Sequence, residues 1–140
     1  MPPMPLPAEL SEFLALPNPA VIATLRADGS PHTAPTWYDW EDGRVLLNMD
    51  ESRVRLAHLR RDPRAALTVM GAGDEWYRHV SLLGRVVSIE DDTDLADIDR
   101  LAIRYSGRPF RRRDSPRVSA WLEPDRWHAW SGGGPWATAA

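Results

Sequence analysis

The sequence predicts a mainly β fold of the α+β class, a small β-barrel with short flanking helices. The chain has 140 residues, which is the size of one domain. Short strand-like runs follow one another with glycine-containing turns between them, a pattern typical of small barrels. A few segments carry apolar residues at helical spacing, and we expect these to be additions to the barrel.

The N-terminal part of the chain predicts one helix and then a hairpin. Pro7 opens a short amphipathic helix, which ends at Asn18-Pro19. Residues 20–25 predict a strand, followed by an Asp-Gly hairpin turn. The next predicted strand runs from about residue 32 to residue 40. Because proline cannot donate a ladder hydrogen bond, Pro35 predicts an edge, a bulge or an interruption there.

The middle of the chain predicts a strand, a helix and a further strand. A second hairpin turn at residues 41–43 precedes the strand 44–48. Ser52 is the predicted N-cap of a helix that runs to about Arg61. Asp62-Pro63 ends this helix, because the residue before a proline disfavours helical geometry. A strand over 64–70 and a glycine-containing loop complete this part.

The C-terminal half predicts two long strands with a helix between them. Residues 76–89 predict one long strand, or two strands joined by a bend at Gly84. Apolar residues at helical spacing predict a third helix over 94–106. A basic, irregular linker over 108–116 leads to the closing strand, residues 117–130.

The chain is expected to form a single domain over residues 1–140. The barrel spans about residues 8–130, and residues 131–140 predict a flexible, glycine-rich tail. Apolar runs stay far below the roughly 20 residues that a membrane span needs, so no membrane partner is expected. The N-terminus lacks the basic and apolar regions of a signal peptide, and we therefore expect a cytoplasmic protein.

Composition excludes several kinds of chemistry. With no cysteine there are no disulfides, thiolate nucleophiles or Cys-ligated metals. All 17 basic residues are arginine, so Schiff-base chemistry on a lysine is excluded. The net charge of −3 gives no reason to expect nucleic-acid binding. The four histidines show no metal-ligand spacing, and no metal site is expected.

Two arginine clusters are candidate anion sites. The first follows the third predicted strand, and its members are Arg53, Arg55, Arg60, Arg61 and Arg64. Arginine forks and a helix N-terminus both favour phosphate, although a solvated charged face explains the same pattern. Arg53 and Arg55 lie two residues apart, so they converge on one phosphate only at an irregular first helical turn. The second cluster, Arg108 to Arg117, predicts either a loop balanced by the acidic run 90–94 or a clamp for a polyanion.

Several motifs, taken in order, resemble the pyridoxamine-phosphate-oxidase-like split β-barrels. The resemblance covers about residues 8 to 130. Within the family, the chain is similar to the deazaflavin branch, the actinobacterial coenzyme F-420-dependent reductases. Members share an opening hairpin, a basic segment after the third strand, a long fifth strand and a closing strand. The matching segments are residues 23–32, 35–40, 48, 53–55, 58–64, 77–80, 84–87 and 116–127.

The resemblance implies a homodimer that binds its cofactor in a groove between two barrels. In this branch a basic pair, typically Arg-x-Lys, holds the cofactor phosphate, and here the pair is Arg53 and Arg55. The substitution of arginine for lysine keeps the charge and adds a fork. Position 58, often asparagine, is histidine here. The implied cofactor-binding residues are Pro35, Thr36, Trp37, Asn48, Met49, Arg53, Arg55, His58, Arg60, Arg78 and Trp130.

The implied activity is that of a coenzyme F-420-dependent oxidoreductase, which transfers a hydride to a small conjugated or hydrophobic acceptor. Chemistry resides mostly in the cofactor, and only Tyr77, Arg78 and His79 are candidate catalytic side chains. Two alternatives stay open: an FMN-dependent oxidoreductase on the same barrel, and a non-catalytic carrier of deazaflavin or flavin. Pyridoxamine phosphate oxidation is less expected, because the chain lacks further motifs for a substrate phosphate.

Overall fold

The computed structural model describes residues 1–134 and Trp136. Seven strands, three α-helices and one 3-10 helix follow one another along this part of the chain. In chain order they are α1 (Ala8–Leu14), β1 (Ala20–Leu25), β2 (Pro31–Thr36), β3 (Asp39–Glu41), β4 (Arg44–Asp50), α2 (Val54–Arg61), β5 (Arg64–Met70), a 3-10 helix (Gly73–Glu75), β6 (His79–Asp91), α3 (Ala96–Ser106) and β7 (Arg117–Trp130).

All seven strands belong to one antiparallel sheet in the order β2-β1-β5-β6-β7-β4-β3. The strands β2 and β3 lie at opposite edges of this order, yet only Trp37 and Tyr38 separate them in sequence. The three Cα–Cα steps from Thr36 to Asp39 span at most about 11 Å, so the sheet has to curl until its two edges meet. The mainly β class predicted from the sequence is thereby confirmed, and the seam between the edges lies at residues 37–38.

The predicted strand over 32–40 is divided at this seam. Tyr38 is fully buried and its hydroxyl donates to the carbonyls of Leu14 and Leu16, so the chain turns inward instead of continuing as a strand. Pro35 lies in the edge strand β2, where its missing N–H interrupts no central ladder. The sequence expectation for Pro35 is confirmed.

Of the two alternatives predicted for this segment, the structure shows one long strand, β6, which pairs with β7 and has an irregularity at Gly84. The register between the two strands shifts at Leu83/Gly84, and a Cβ atom at Gly84 would lie 2.1 Å from the carbonyl oxygen of Glu123. Only glycine allows the two backbones to approach this closely. The strand begins at His79 rather than at Trp76, because residues 73–75 form a 3-10 turn before it.

Helix α2 begins without the predicted serine cap. The Ser52 hydroxyl donates to the Asp50 carboxylate at 2.7 Å, and Arg53 occupies the N-cap position with no side-chain hydrogen bond. The first N–H groups of α2 therefore lack a side-chain acceptor. The prediction of Ser52 as the cap is wrong, since the nearer carboxylate competes for its hydroxyl.

Aliphatic side chains from all the longer strands fill the barrel interior. Burial of this continuous apolar cluster is the main source of stability for a chain without disulfides. Its fully buried strand residues include Ile22, Leu47, Leu67, Leu82, Val118 and Leu122. Trp136 packs edge-on against Phe13 of α1, whereas residues 135 and 137–140 of the predicted flexible tail lie outside the described residues.

Candidate functional site

A cavity of about 820 Å³ opens at the seam of the barrel. Its walls come from β2, the start of α2, the end of β4, helix α3 and the start of β7, which the curled sheet brings together. The residues that line it are Pro17, Pro19, Ala20, Ala34, Pro35, Thr36, Trp37, Asn48, Asp50, Arg53, Arg55, Ala72, Ile98, Tyr105, Phe110 and Arg117. The volume lies within the range of small-molecule sites.

Arg53 and Arg55 share this cavity because the chain enters α2 irregularly. Arg53 is the N-cap residue, with extended backbone angles, and Arg55 is the second residue of the helix. On a regular helix two residues at this spacing point apart, but the extended N-cap removes that constraint. The condition set by the sequence for convergence, an irregular first turn, is met.

The guanidinium of Arg55 is partly buried without a counter-ion. Its Nε atom is buried and has no hydrogen-bond partner within residues 1–134 and Trp136. Burial, followed by the positive charges of Arg53 and Arg117, lowers the pKa of Arg55 below its ordinary value. An arginine still keeps its charge at neutral pH, so an anion placed here would relieve an electrostatic cost.

The cavity arginines differ from the arginines outside the cavity. Arg64 pairs with Asp62 at 2.7 Å, and Arg113 pairs with Asp99 at 2.6 Å. Two further arginines, on helix α3, pair with Asp39. Within the described chain no carboxylate forms an ion pair with Arg53, Arg55 or Arg117. Arg55 and Arg117 are partly buried and Arg53 is exposed. Guanidinium groups without a carboxylate partner around one cavity are typical of an anion-binding site.

One carboxylate, that of Asp50, is also among the residues that line the cavity. Asp50 accepts hydrogen bonds from the backbone and hydroxyl of Ser52 and from the hydroxyl of Ser115. These bonds, that of Ser115 first, hold the pKa of Asp50 well below its usual range. Asp50 is thus ionised at neutral pH, with its oxygens already engaged by the two serines.

Part of the cavity wall is aromatic. The ring of Trp37 stacks on Tyr105 with 5.5 Å between centroids and 7° between planes, and Phe110 meets Trp37 edge-on at 6.3 Å. The Tyr105 hydroxyl donates to the Asn18 carbonyl, so only the ring is free for other contacts. A flat aromatic face and cationic side chains around one cavity suit a ligand that has a planar ring and an anionic group.

Six of the predicted cofactor-binding residues line the cavity: Pro35, Thr36, Trp37, Asn48, Arg53 and Arg55. Met49 and His58 are not among the described lining residues. Met49 is 1% exposed and packs in the barrel core. His58 lies on the buried face of α2, where its Nδ1 is 2.9 Å from the Thr24 hydroxyl.

The other predicted site residues lie away from the described cavity wall. Arg60 is on the exposed side of α2. Arg78 forms an ion pair with Glu75, and the His79 Nδ1 lies 2.8 Å from the Tyr77 carbonyl. Tyr77 packs against Trp130 at the far end of the β6–β7 ribbon. Their predicted roles stay predictions.

Sequence reasoning did not single out Tyr105 or Phe110, and it named Arg117 only as a member of the second arginine cluster, the possible clamp for a polyanion. All three come from the last third of the chain and reach the cavity only through the pairing of β4 with β7 and the packing of α3. The only sequence signal was the basic linker before β7. No group of three histidine or acidic side chains able to hold a metal ion occurs in the described residues.

A mainly β barrel with a cationic and aromatic cavity at its seam defines the split-barrel class of small-molecule-binding proteins. The sequence profile described as pyridoxamine 5'-phosphate oxidase matches residues 6–131 of this chain. The chain belongs to this family, and the family resemblance stated from the sequence is confirmed.

Solved structures share the fold over nearly the whole chain. A protein named F420 reductase superposes with a TM-score of 0.78 at 24% identity, over 89% of this chain and 98% of its own. The conserved hypothetical protein Rv2991 from Mycobacterium tuberculosis superposes with a TM-score of 0.73 at 25% identity, over 99% and 94%. A putative pyridoxamine 5'-phosphate oxidase from Listeria innocua gives 0.62 at 16% identity, over 82% and 90%.

Proposed function

We propose that this chain is an oxidoreductase that binds coenzyme F-420 in the seam cavity and reduces a small conjugated or hydrophobic acceptor. The observation that carries the proposal is the buried Nε of Arg55, which has no partner in the described chain and lies in a cavity shared with two other unpaired arginines. The likeness to a protein named F420 reductase supports the choice of cofactor.

The residues present fit such a cofactor. Arg53 and Arg55 would hold its phosphate, with the uncapped N–H groups at the start of α2 beside them. Trp37 and the backbone of Pro35 and Thr36 would lie along the ring system. When bound, the deazaflavin supplies the hydride, so the protein does not need a nucleophile or a metal of its own.

The described cavity walls offer binding and shielding rather than proton transfer. Asp50 is ionised and engaged, and the Tyr105 hydroxyl is committed to a backbone carbonyl. The apolar residues Ala34, Ile98 and Phe110 exclude water from the space beside the ring. We therefore assign to this chain the positioning of the reactants and the exclusion of solvent.

The proposal includes a homodimer. The outward face of the sheet carries small, uncharged side chains at its centre: Val21, Ala23, Ala66, Thr68 and Ser81 are cross-strand neighbours there. An uncharged sheet face of this kind suits burial against a second copy. The residues Tyr77, Arg78 and His79, at one end of this face, would then approach the cavity of that second copy.

The experiment is a titration of the purified protein with coenzyme F-420 and, in parallel, with FMN, followed by quenching of tryptophan fluorescence. Trp37 lines the cavity and makes the signal sensitive to occupancy. We expect F-420 to bind and its reduced form to be reoxidised when enones or quinones are added. Tight FMN binding without F-420 binding would overturn the cofactor assignment. F-420 binding with no turnover of a broad acceptor panel would instead favour a carrier.

The double variant Arg53→Ala with Arg55→Ala tests the phosphate contact. Hydrogen bonds to charged groups contribute about 1.5–3 kcal/mol each, so we expect F-420 affinity to fall by about 100-fold or more. The matched control is Arg26→Ala with Arg108→Ala, which removes the same charge from exposed positions outside the cavity. Equal affinities for the two double variants would show that the phosphate binds elsewhere.

A further inference from the structure

We propose that Arg117 is a third anion-binding residue of the seam cavity and that Asn48 is the residue that positions it. This inference rests on the proposed function for the identity of the ligand. It goes beyond that function in two ways: it assigns an anion contact to Arg117 of β7, and it removes Asn48 from the residues that contact the ligand.

Arg117 is presented to the cavity by the first residue pair of the β4–β7 ladder. It faces Asp50 across the ladder, and its guanidinium carbon lies 4.7 Å from the ring centre of Phe110, another lining residue. Its Nε–H donates to the Asn48 carbonyl oxygen at 3.0 Å. Within the described residues this is the only hydrogen bond of the Arg117 side chain, so both terminal NH₂ groups are available to a ligand.

Arg117 shares with Arg55 a partly buried position close to the positive charge of Arg53. Burial lowers the pKa of Arg117, and Arg53 and Arg112 act in the same direction. The carboxylates of Asp50 and Asp92 act in the opposite direction, and neither forms an ion pair with Arg117 in the described residues. Asp92 is tied to Asn48 and to the start of α3. Arg53, Arg55 and Arg117 therefore concentrate positive charge at one corner of the cavity.

Asn48 has no side-chain N–H group to spare for an anionic ligand. Its Nδ2 donates to Asp92 at 3.1 Å and to the Ser119 hydroxyl at 3.0 Å, while its Oδ1 accepts from Arg117. Asp92 in turn accepts from the N–H groups of Asp97 and Ile98 at the start of α3. Hydrogen bonds within this network hold the side chains of Asn48 and Asp92. Asn48, Asp92 and Ser119 are buried. Asn48 therefore acts through Arg117 by fixing the direction of its guanidinium group.

The test uses pyrophosphate as the probe, with binding to the full chain measured by calorimetry. We expect wild-type protein to bind pyrophosphate and Arg117→Met to bind it about 10- to 100-fold more weakly, the loss that one charged hydrogen-bonding group produces. Arg117→Lys, which keeps the charge but loses the fork, should fall between the two. The control is Arg108→Met, which removes an exposed charge from the same linker.

Unchanged pyrophosphate affinity in Arg117→Met, or equal losses in Arg117→Met and Arg108→Met, would overturn the assignment of Arg117. Absence of pyrophosphate binding by the wild-type protein would overturn it as well. A parallel F-420 titration keeps the two proposals distinct. Pyrophosphate binding that depends on Arg117, together with no F-420 binding, supports this inference and contradicts the proposed function.

A double-mutant cycle tests the positioning role of Asn48. We expect Asn48→Ser to weaken pyrophosphate binding in the wild-type background and to have no further effect in the Arg117→Met background, because its effect passes through Arg117. If Asn48→Ser instead weakened binding equally in both backgrounds, as a general loss of structure would, the two substitutions would act independently. That result would overturn the positioning role of Asn48. Circular dichroism and the denaturation midpoint of each variant identify the folded fraction.

Discussion

Individual residues in this chain owe their roles to what surrounds them rather than to their type. Arg55 and His58 are three residues apart in α2, yet Arg55 lines the seam cavity and His58 lies on the buried face of the helix. His58 has its Nδ1 against the Thr24 hydroxyl and its ring edge-on to His32 at 5.3 Å. Burial, then the neighbours His32, Arg61 and Arg26, lowers the pKa of His58.

The lowered pKa of His58 predicts a loss of stability in mild acid. The unfolded chain takes up the proton near pH 6.5, before the folded protein does, so the free energy of unfolding falls as pH drops below about 6.5. His58→Gln should be less stable than wild type at pH 7 but lose less on going from pH 7 to pH 5. Urea denaturation at both values measures this. His128→Gln, at an exposed site, should keep the wild-type pH dependence; if His58→Gln keeps it too, the assignment is wrong.

At the scale of elements, helix α3 holds the seam together. The Arg104 side chain is 14% exposed and donates to the backbone carbonyls of Leu14, Ala15, Leu16 and Tyr38. The same helix carries Tyr105 onto Trp37 in the cavity wall. The end of α1, the residues at the seam and the aromatic wall are therefore joined through two consecutive residues of α3, Arg104 and Tyr105.

Arg104→Met should destabilise the protein by at least about 2 kcal/mol, because the carbonyls of Ala15 and Tyr38 lose their side-chain donor. The carbonyls of Leu14 and Leu16 and the Asp39 carboxylate each lose one of their hydrogen-bonding partners as well. Denaturant unfolding measures the loss. Amide exchange should also quicken in α3 if the helix loosens from the barrel. Arg108→Met, at an exposed site just after α3, is the control, and we expect it to change stability by less than about 0.5 kcal/mol.

At the scale of the whole molecule, the curled sheet separates an interior core from an outward face with an uncharged centre. The apolar cluster fills the interior, and within the described residues no helix is long and apolar enough to cross a membrane. On the outward face, Ala66 lies between Ala23 of β1 and Leu83 of β6. A charge placed at this position would have to be buried in a dimer that uses the face.

Ala66→Arg is therefore expected to convert the proposed homodimer into monomers and to weaken cofactor binding with it. Light scattering after size-exclusion chromatography measures the mass, and circular dichroism checks the fold. Glu12→Arg, on the exposed side of α1, should leave the dimer unchanged. A wild-type protein that is monomeric under the same conditions would contradict the homodimer directly.

The sequence by itself determined most of the local structure. Period-two and helical spacing, together with turn residues, located the helices and most of the strands, and Pro35 correctly predicted an edge. These features depend on neighbours in sequence, and local chemistry decides them. The sequence also indicated Arg53 and Arg55, since two arginines at a helix start already form a pattern.

Only the tertiary structure decided what completes the cavity. Arg117 and Asn48 are 69 residues apart, and they meet because β4 pairs with β7 in a particular register. Strand register depends on long-range packing of the whole core, which no local window contains. Alternate residues of one strand face opposite sides, so Met49 and its neighbour Asn48 cannot both line the cavity. Long-range packing decided that Met49 faces the core and that Asn48 lines the cavity.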